Sequence, residues 1–224
     1  MMSAMIYPTS NFAEQDKLCI ARAKGVYVYD SNNKQYLEGM SGLWCTALGY
    51  GNEELIAAIT NQLHTLSFSH LFGGKSHGPG VALADKLAAM VPIEDARVFF
   101  GTSGSDANDS HYKILRYYFN AIHKPQKRKI ITRERAYHGV TVASGARTSL
   151  PVNNRHFDLP NDALNILRTD SPHDFSSHLQ GESETQFVDR IVANLESLIL
   201  HENPDTIAAM IIEPITGASG VIVP

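Results

Sequence analysis

The sequence predicts an α/β protein with a mostly parallel sheet, and three observations carry that expectation. From residue 98 onward, apolar segments of strand length alternate with segments of helical period, as they do in βαβ units. Ile207-Ala208-Ala209-Met210-Ile211-Ile212 is apolar throughout, as a strand covered on both faces is. Gly101-Thr102-Ser103-Gly104-Ser105-Asp106-Ala107-Asn108 separates an apolar run from a long helical pattern. Such a small-residue strand-to-helix turn leaves unpaired backbone N–H groups at a helix start.

Residues 1 to about 24 read as irregular. Gly25-Val26-Tyr27-Val28-Tyr29 alternates as a strand does. Asp30-Ser31-Asn32-Asn33 is turn chemistry, and Gln35-Tyr36-Leu37-Glu38 returns as the second strand of a hairpin. Leu55, Ile56, Ile59 and Leu63 then sit at helical spacing behind Asn52 as N-cap. Val81, Leu83, Ala84, Leu87 and Met90 form a second helical set, stopped by Pro92. The pattern continues as strand 98–100, helix 106–123, strand 129–132, a helix start near His138, strand 165–168, helix 184–201 and strand 207–212. Ligands of open α/β sheets bind beyond the carboxyl ends of the strands. Three segments fall there: the Ser103-Gly104-Ser105 turn, Tyr137-His138-Gly139, and Glu213-Pro214.

With 224 residues, 43% hydrophobic and 19% charged, the composition is that of a soluble globular protein. A net charge of −4 without a basic stripe argues against a nucleic-acid partner. The cluster Lys124 to Lys129 reads as a solvated helix-to-strand link. Cys19 and Cys45 form no C-x-x-C pair, which points to reduced thiols and a cytoplasmic setting. Met1 to Ser10 lacks the charged start and apolar core of a signal peptide. No apolar run approaches the roughly 20 residues of a membrane span, so no membrane partner is expected.

The turn at Ser103 to Ser105 has what a phosphate group needs: free N–H donors, a helix dipole and small side chains that allow close approach. It is not G-x-G-x-x-G, and it lacks the Lys-Ser/Thr of a Walker A loop. Tyr137, at a strand exit, either lays its ring over a planar cofactor or stands at the core edge with its hydroxyl in water. Stacking would add about 0.5–1.5 kcal/mol beyond burial. His138 is a base, a cofactor neighbour or a helix cap, and no second ligand stands at metal-binding spacing. Glu213 follows a buried strand, as a functional carboxylate or as a solvated strand-end acid. Trp44, the single tryptophan, walls a pocket or belongs to the core.

Taken together, Ser103-Gly104-Ser105-Asp106-Ala107-Asn108, Tyr137-His138-Gly139 and Glu213-Pro214 with Gly217 and Gly220 resemble the class III aminotransferases. These are pyridoxal 5'-phosphate enzymes of fold type I. Gly39-Met40-Ser41-Gly42-Leu43-Trp44-Cys45, Leu48-Gly49-Tyr50-Gly51 and the link Lys124 to Ile130 look like the ω-amino-acid or amine:pyruvate branch. The resemblance covers nearly the whole chain, with its motifs in order. It implies that 1–50 is an N-terminal segment of the small domain and 51–224 an incomplete cofactor-binding large domain.

The same resemblance implies residue roles. Ser103, Gly104 and Ser105 would hold the cofactor phosphate, and Tyr137 would stack on the pyridine ring. His138 and Gly139 would belong to the same wall, with Glu213 ordering hydrogen bonds near the ring. Trp44 would line the substrate pocket. Phe72 matches a segment that reaches the neighbouring subunit's site in a homodimer. The implied reaction moves an amino group from an amine or ω-amino acid to a keto acid such as pyruvate. Asp106 stands where the family usually has Glu. The family's Schiff-base lysine and pyridine-nitrogen aspartate lie further along than Pro224, and none of the nine lysines here matches. The chain is therefore expected to be inactive alone. A phosphate-ligand-binding protein and a pseudo-enzyme partner of a full-length homologue are the competing expectations.

Overall fold

The computed structural model describes residues 4–8 and 18–224; the expected irregular start falls partly on residues 1–3 and 9–17, outside the described residues. Two compact units divide at Val98/Phe99.

The first unit holds an antiparallel meander of β1 (Ile20–Lys24), β2 (Tyr27–Asp30) and β3 (Gln35–Leu37). The expected hairpin is β2–β3, paired Tyr27↔Leu37 to Tyr29↔Gln35. Its turn closes on Asp30, whose carboxylate accepts from Asn32 N at 2.8 Å, Lys34 N at 2.9 Å and the Tyr36 hydroxyl at 3.0 Å. β1 was not expected: Arg22 and Lys24 interrupt its apolar character, and its pairing partner is what makes it a strand. After β3 comes α1 (Ser41–Trp44), one turn with left-handed residues inside. α2 (Glu53–Thr65) starts where Asn52 accepts from Leu55 N at 3.0 Å, as its spacing predicts. A 3₁₀ turn at Phe72–Gly74 precedes α3 (Gly78–Met90), which His77 caps by accepting from Gly80 N at 3.1 Å.

In the second unit, α4 (Gly104–Ala121) and β4 (Lys129–Arg133) are followed by α5 (Val142–Arg147) and α6 (Pro151–Asn154). Next come β5 (Ile166–Thr169), α7 (Asp174–Ser177), α8 (Glu184–His201), a 3₁₀ turn at Pro204–Thr206 and β6 (Ile207–Met210). The sheet is parallel in the order β5-β4-β6. Its central strand buries Ile130, Ile131 and Thr132, and α8 contributes Phe187 to the same unit's core. Helix α8 occupies the predicted 184–201, because Ser183 and Gln186 form a capping box at its start.

Two expectations are corrected and a third, the largely exposed lysine link, is refined. Residues 98–100 form no strand; no described segment pairs with them, and a strand requires a partner ladder. No helix starts near His138: residues 137–140 are irregular, and α5 begins only after Thr141 supplies its cap. The lysine link is also bonded. Lys127 Nζ donates to the carbonyls of Pro204 and Ile207 at 3.1 and 3.0 Å, and Lys129 Nζ reaches Glu202 Oε2 at 2.8 Å. Those contacts tie the amino end of β4 to the α8–β6 connection.

Candidate active site

The carboxyl ends of β4 and β6 set the site. Tyr137 follows β4 and Glu213 follows β6, adjacent strands in one sheet. Tyr137 N–H donates to Glu213 Oε2 at 3.0 Å, and Arg133 Nη1 donates to the Glu213 carbonyl at 3.1 Å. Glu213 is therefore a half-buried brace between two strand exits, and not a fully solvated acid.

At the start of α4 the Ser103 hydroxyl accepts from Asp106 N at 3.1 Å. Asp106 returns its Oδ2 to Thr102 N at 2.9 Å. The shorter acid thus closes the cap on the residue before Ser103. Ala107 N donates to Ser103 O; the Gly104 and Ser105 N–H groups precede it in the first turn, where a helix offers no acceptor of its own, and no bond from either is seen among the described residues. Beside Gly104 the space is open: a Cβ there would meet nothing within 4 Å. Two free donors at the head of an 18-residue helix concentrate the positive end of its dipole.

The turn of α4 and the wall after β4 are locked together. Ser105 Oγ accepts from Val140 N at 3.1 Å. Asn108 Nδ2 donates to the His138 carbonyl at 2.7 Å. Gly139 has φ +127°, and a Cβ on it would overlap Ser144 Oγ and Ser105 Oγ. Any side chain at 139 would force those hydroxyls to move.

Beneath the wall lies a buried polar hub that sequence reasoning missed. Thr148 Oγ1 accepts from His138 N at 2.9 Å and donates to the Gly139 carbonyl at 2.8 Å. The His138 ring meets Thr132 Oγ1 at 3.0 Å, and Thr132 Oγ1 donates to Arg147 O at 3.1 Å. Arg147 Nη1 donates to the Asn108 carbonyl at 2.8 Å. Arg168 caps the end of α5, donating to Arg147 O and Ala146 O at 2.6 Å each and to Thr148 O at 3.0 Å. The only sequence signal for this was a charged residue inside the strand Ile166-Leu167-Arg168-Thr169.

His138 is 6% exposed. Burial, reinforced by Arg147 and Arg168, pushes its imidazole down to about 4. In the unfolded chain the ring takes up a proton near pH 6.5. Between those values the unfolded state binds a proton that the folded state refuses. The stability His138 contributes is therefore full above pH 6.5 and falls as the pH drops toward 4. We expect a loss on the order of 2 kcal/mol from this one residue across that window. Urea midpoints at pH 7 and pH 4.5 for wild type and His138→Gln check this; an unaltered pH slope in the variant would assign the loss to other groups.

Known proteins resemble the chain over most of its length. The family description "Aminotransferase class-III" matches residues 10–224. The chain belongs to the class-III aminotransferases. Vanillin aminotransferase of Capsicum annuum is 46% identical over 213 residues, 95% of this chain and 46% of that protein. The mitochondrial gamma-aminobutyrate transaminase 1 of Oryza sativa subsp. japonica is 48% identical over 208 residues, 92% of this chain and 40% of that protein. The crystal structure of the omega transaminase from Pseudomonas jessenii in complex with PMP superposes with a TM-score of 0.94 at 48% identity, covering 98% of this chain and 49% of that one. The chain thus spans about half the length of the relatives it matches. The fold is that of the pyridoxal-phosphate-dependent fold type I transaminases, of which this aminotransferase chain has a part.

Ser105, Tyr137, His138, Gly139 and Glu213 are joined through these bonds in the second unit. Trp44 and Phe72 belong to the first, exposed to 63% and 83% respectively. Trp44 closes the left-handed turn α1: Ser41, Gly42, Leu43 and Trp44 have φ of 50°, 59°, 57° and 67°. Each non-glycine residue in that region costs roughly 1–2 kcal/mol. Phe72 opens the 3₁₀ turn Phe72–Gly74.

Proposed function

We propose that this class-III chain holds pyridoxal 5'-phosphate and serves amino-group transfer from an amine or ω-amino acid to a keto acid such as pyruvate. The observation that carries the reading is the pair of free N–H donors on Gly104 and Ser105, open to one side and locked to the wall at residues 137–140. They would hold the phosphate, with the Ser105 hydroxyl hydrogen as a further donor. Ser103 keeps its oxygen on the helix cap. Tyr137, its backbone braced by Glu213, would cover the ring face. His138, neutral and buried, and Gly139 hold that wall in place. When bound, the cofactor supplies an electron sink that eases loss of a proton from the amine carbon. Trp44 would line the amine pocket, and Phe72 would reach the partner's site in a homodimer. The name of the Oryza sativa relative, a gamma-aminobutyrate transaminase, supports an ω-amino acid donor, and that of the Capsicum relative, a vanillin aminotransferase, supports a carbonyl acceptor. A reducing, cytoplasmic setting is part of the same reading, and both cysteines are exposed free thiols.

Two outcomes test it. Tyr137→Ala is expected to weaken pyridoxal 5'-phosphate binding by about 2–10-fold, the loss of one stacking contact. Equal affinity in a fluorescence titration removes Tyr137 from the ring. The 224-residue chain alone is expected to give no pyruvate-dependent turnover. Lys113 lies exposed along α4, and Lys127 and Lys129 donate at the amino end of β4, away from the strand exits. Measured turnover, with borohydride fixing the cofactor to one of the nine lysines, would reverse that.

A further inference from the structure

The Trp44 indole is 63% exposed, so the backbone that carries it bears on its direction. That backbone is four left-handed residues in a row, three of them not glycine. Left-handed conformations occur in L-residues as single positions, and persist only where their surroundings over-determine them. Here the determining group is Glu38. Its own N–H donates to Val26 O at 2.9 Å, which fixes it at the end of the meander. Its carboxylate reaches forward over the turn. Oε1 accepts from Met40 N at 2.9 Å, and Oε2 accepts from Gly42 N at 2.5 Å. The Met40 carbonyl in turn accepts from Trp44 N at 2.9 Å, and Thr46 N closes on Ser41 O at 2.8 Å. Successive N–H groups around left-handed residues form a concavity that suits an anion, and Glu38 is the anion this chain supplies to itself. The turn has no room to slide sideways: a Cβ on Gly42 would stand 3.0 Å from Thr46 Oγ1 and 3.0 Å from the Tyr50 hydroxyl.

We propose that Glu38 is the positioning residue for Trp44: its carboxylate holds the left-handed turn that aims the indole, and so sets which amine side chains the Trp44 wall admits. The second half rests on the reading of Trp44 as a pocket wall. Glutamine at 38 offers one acceptor where the turn needs two, so the turn relaxes toward right-handed conformations. Glycine at 43 lowers the need for the clamp, because it takes a positive φ without a Cβ penalty.

Trp44 is the single tryptophan, so its near-ultraviolet dichroism and its indole ¹H–¹⁵N resonance report on this turn alone. In Glu38→Gln and Glu38→Ala of the full chain, most of the Trp44 dichroism should vanish and the single indole resonance should broaden or split, with the far-ultraviolet spectrum unchanged. Leu43→Gly in the Glu38→Gln background should bring the wild-type signals back. Wild-type dichroism in both Glu38 variants overturns the clamp. Failure of Leu43→Gly to rescue, with β1–β3 lost in the far-ultraviolet, makes Glu38 a general support of the sheet and overturns it too. A second measurement separates the pocket reading. With pyridoxal 5'-phosphate present, β-alanine and benzylamine are titrated against Trp44 fluorescence. A different response to the two amines in wild type, lost in Glu38→Gln, supports the selection role. A response to neither amine removes Trp44 from the pocket, and selection with it, while the dichroism still decides the clamp. Identical responses in wild type and variant overturn Glu38's part in selection.

Discussion

Gly139→Ala is expected to be among the most damaging single substitutions in the second unit, costing about 2–6 kcal/mol. Two separate costs add. The backbone at 139 has φ +127°, where a side chain is strained whatever the space around it, and such conformations cost on the order of 1–3 kcal/mol in non-glycine residues. The new Cβ also overlaps Ser144 Oγ and Ser105 Oγ and stands 2.8 Å from Ser144 Cβ; overpacking of this kind costs roughly 1–3 kcal/mol. To step aside, each serine would have to give up a hydrogen bond. Ser144 is held by Thr141, whose N–H donates to its Oγ at 3.1 Å. Ser105 is held by Val140 N–H at 3.1 Å. What yields is the contact between the start of α4 and the wall, so pyridoxal 5'-phosphate affinity should fall together with the urea midpoint. Ser144→Gly added to Gly139→Ala should recover the steric part only. A Gly139→Ala protein with wild-type midpoint and wild-type cofactor affinity would show that this approach holds nothing in place.

How much of this could be read in advance depended on how local the determinants are. Helix α8 is predicted residue for residue because its capping box and apolar spacing lie inside one short segment. Asn52 caps its helix for the same reason. The glycine at 139 is visible in the sequence, but the need for it is not, since Ser105 lies 34 positions earlier and meets it only across the sheet end. The Thr132–His138–Thr148–Arg168 hub likewise joins segments that separate strands bring together, and no spacing in one segment announces it. Residues 98–100 have strand composition without a partner, so propensity alone misleads there. The turn Ser41–Trp44 contains one glycine among three residues that disfavour a positive φ, and what overrides their preference is the side chain of Glu38. The motifs themselves were therefore legible in the sequence, whereas the groups that hold them in position were not.

Thr148→Val tests that supporting layer most directly. Thr148 is fully buried. Its hydroxyl accepts from His138 N at 2.9 Å and donates to the Gly139 carbonyl at 2.8 Å. Valine keeps the shape and removes both bonds, leaving a buried N–H and a buried carbonyl unpaired at about 1–3 kcal/mol each. A total near 3 kcal/mol lowers the melting temperature by about 10 °C in a chain of this size. Thr148→Ser retains the hydroxyl and loses only a methyl group, about 1 kcal/mol. The order wild type, Ser, Val is thus expected in stability, with a clear gap before Val. Cofactor affinity should follow the hydroxyl, not the methyl, because the hydroxyl is what fixes the wall behind Tyr137. Thermal melts and pyridoxal 5'-phosphate titrations of the three proteins decide it. If Val melts with Ser and binds cofactor like wild type, the wall is held by the Asn108 bond to the His138 carbonyl and the Glu213 bond to Tyr137 N–H, and Thr148 is only core.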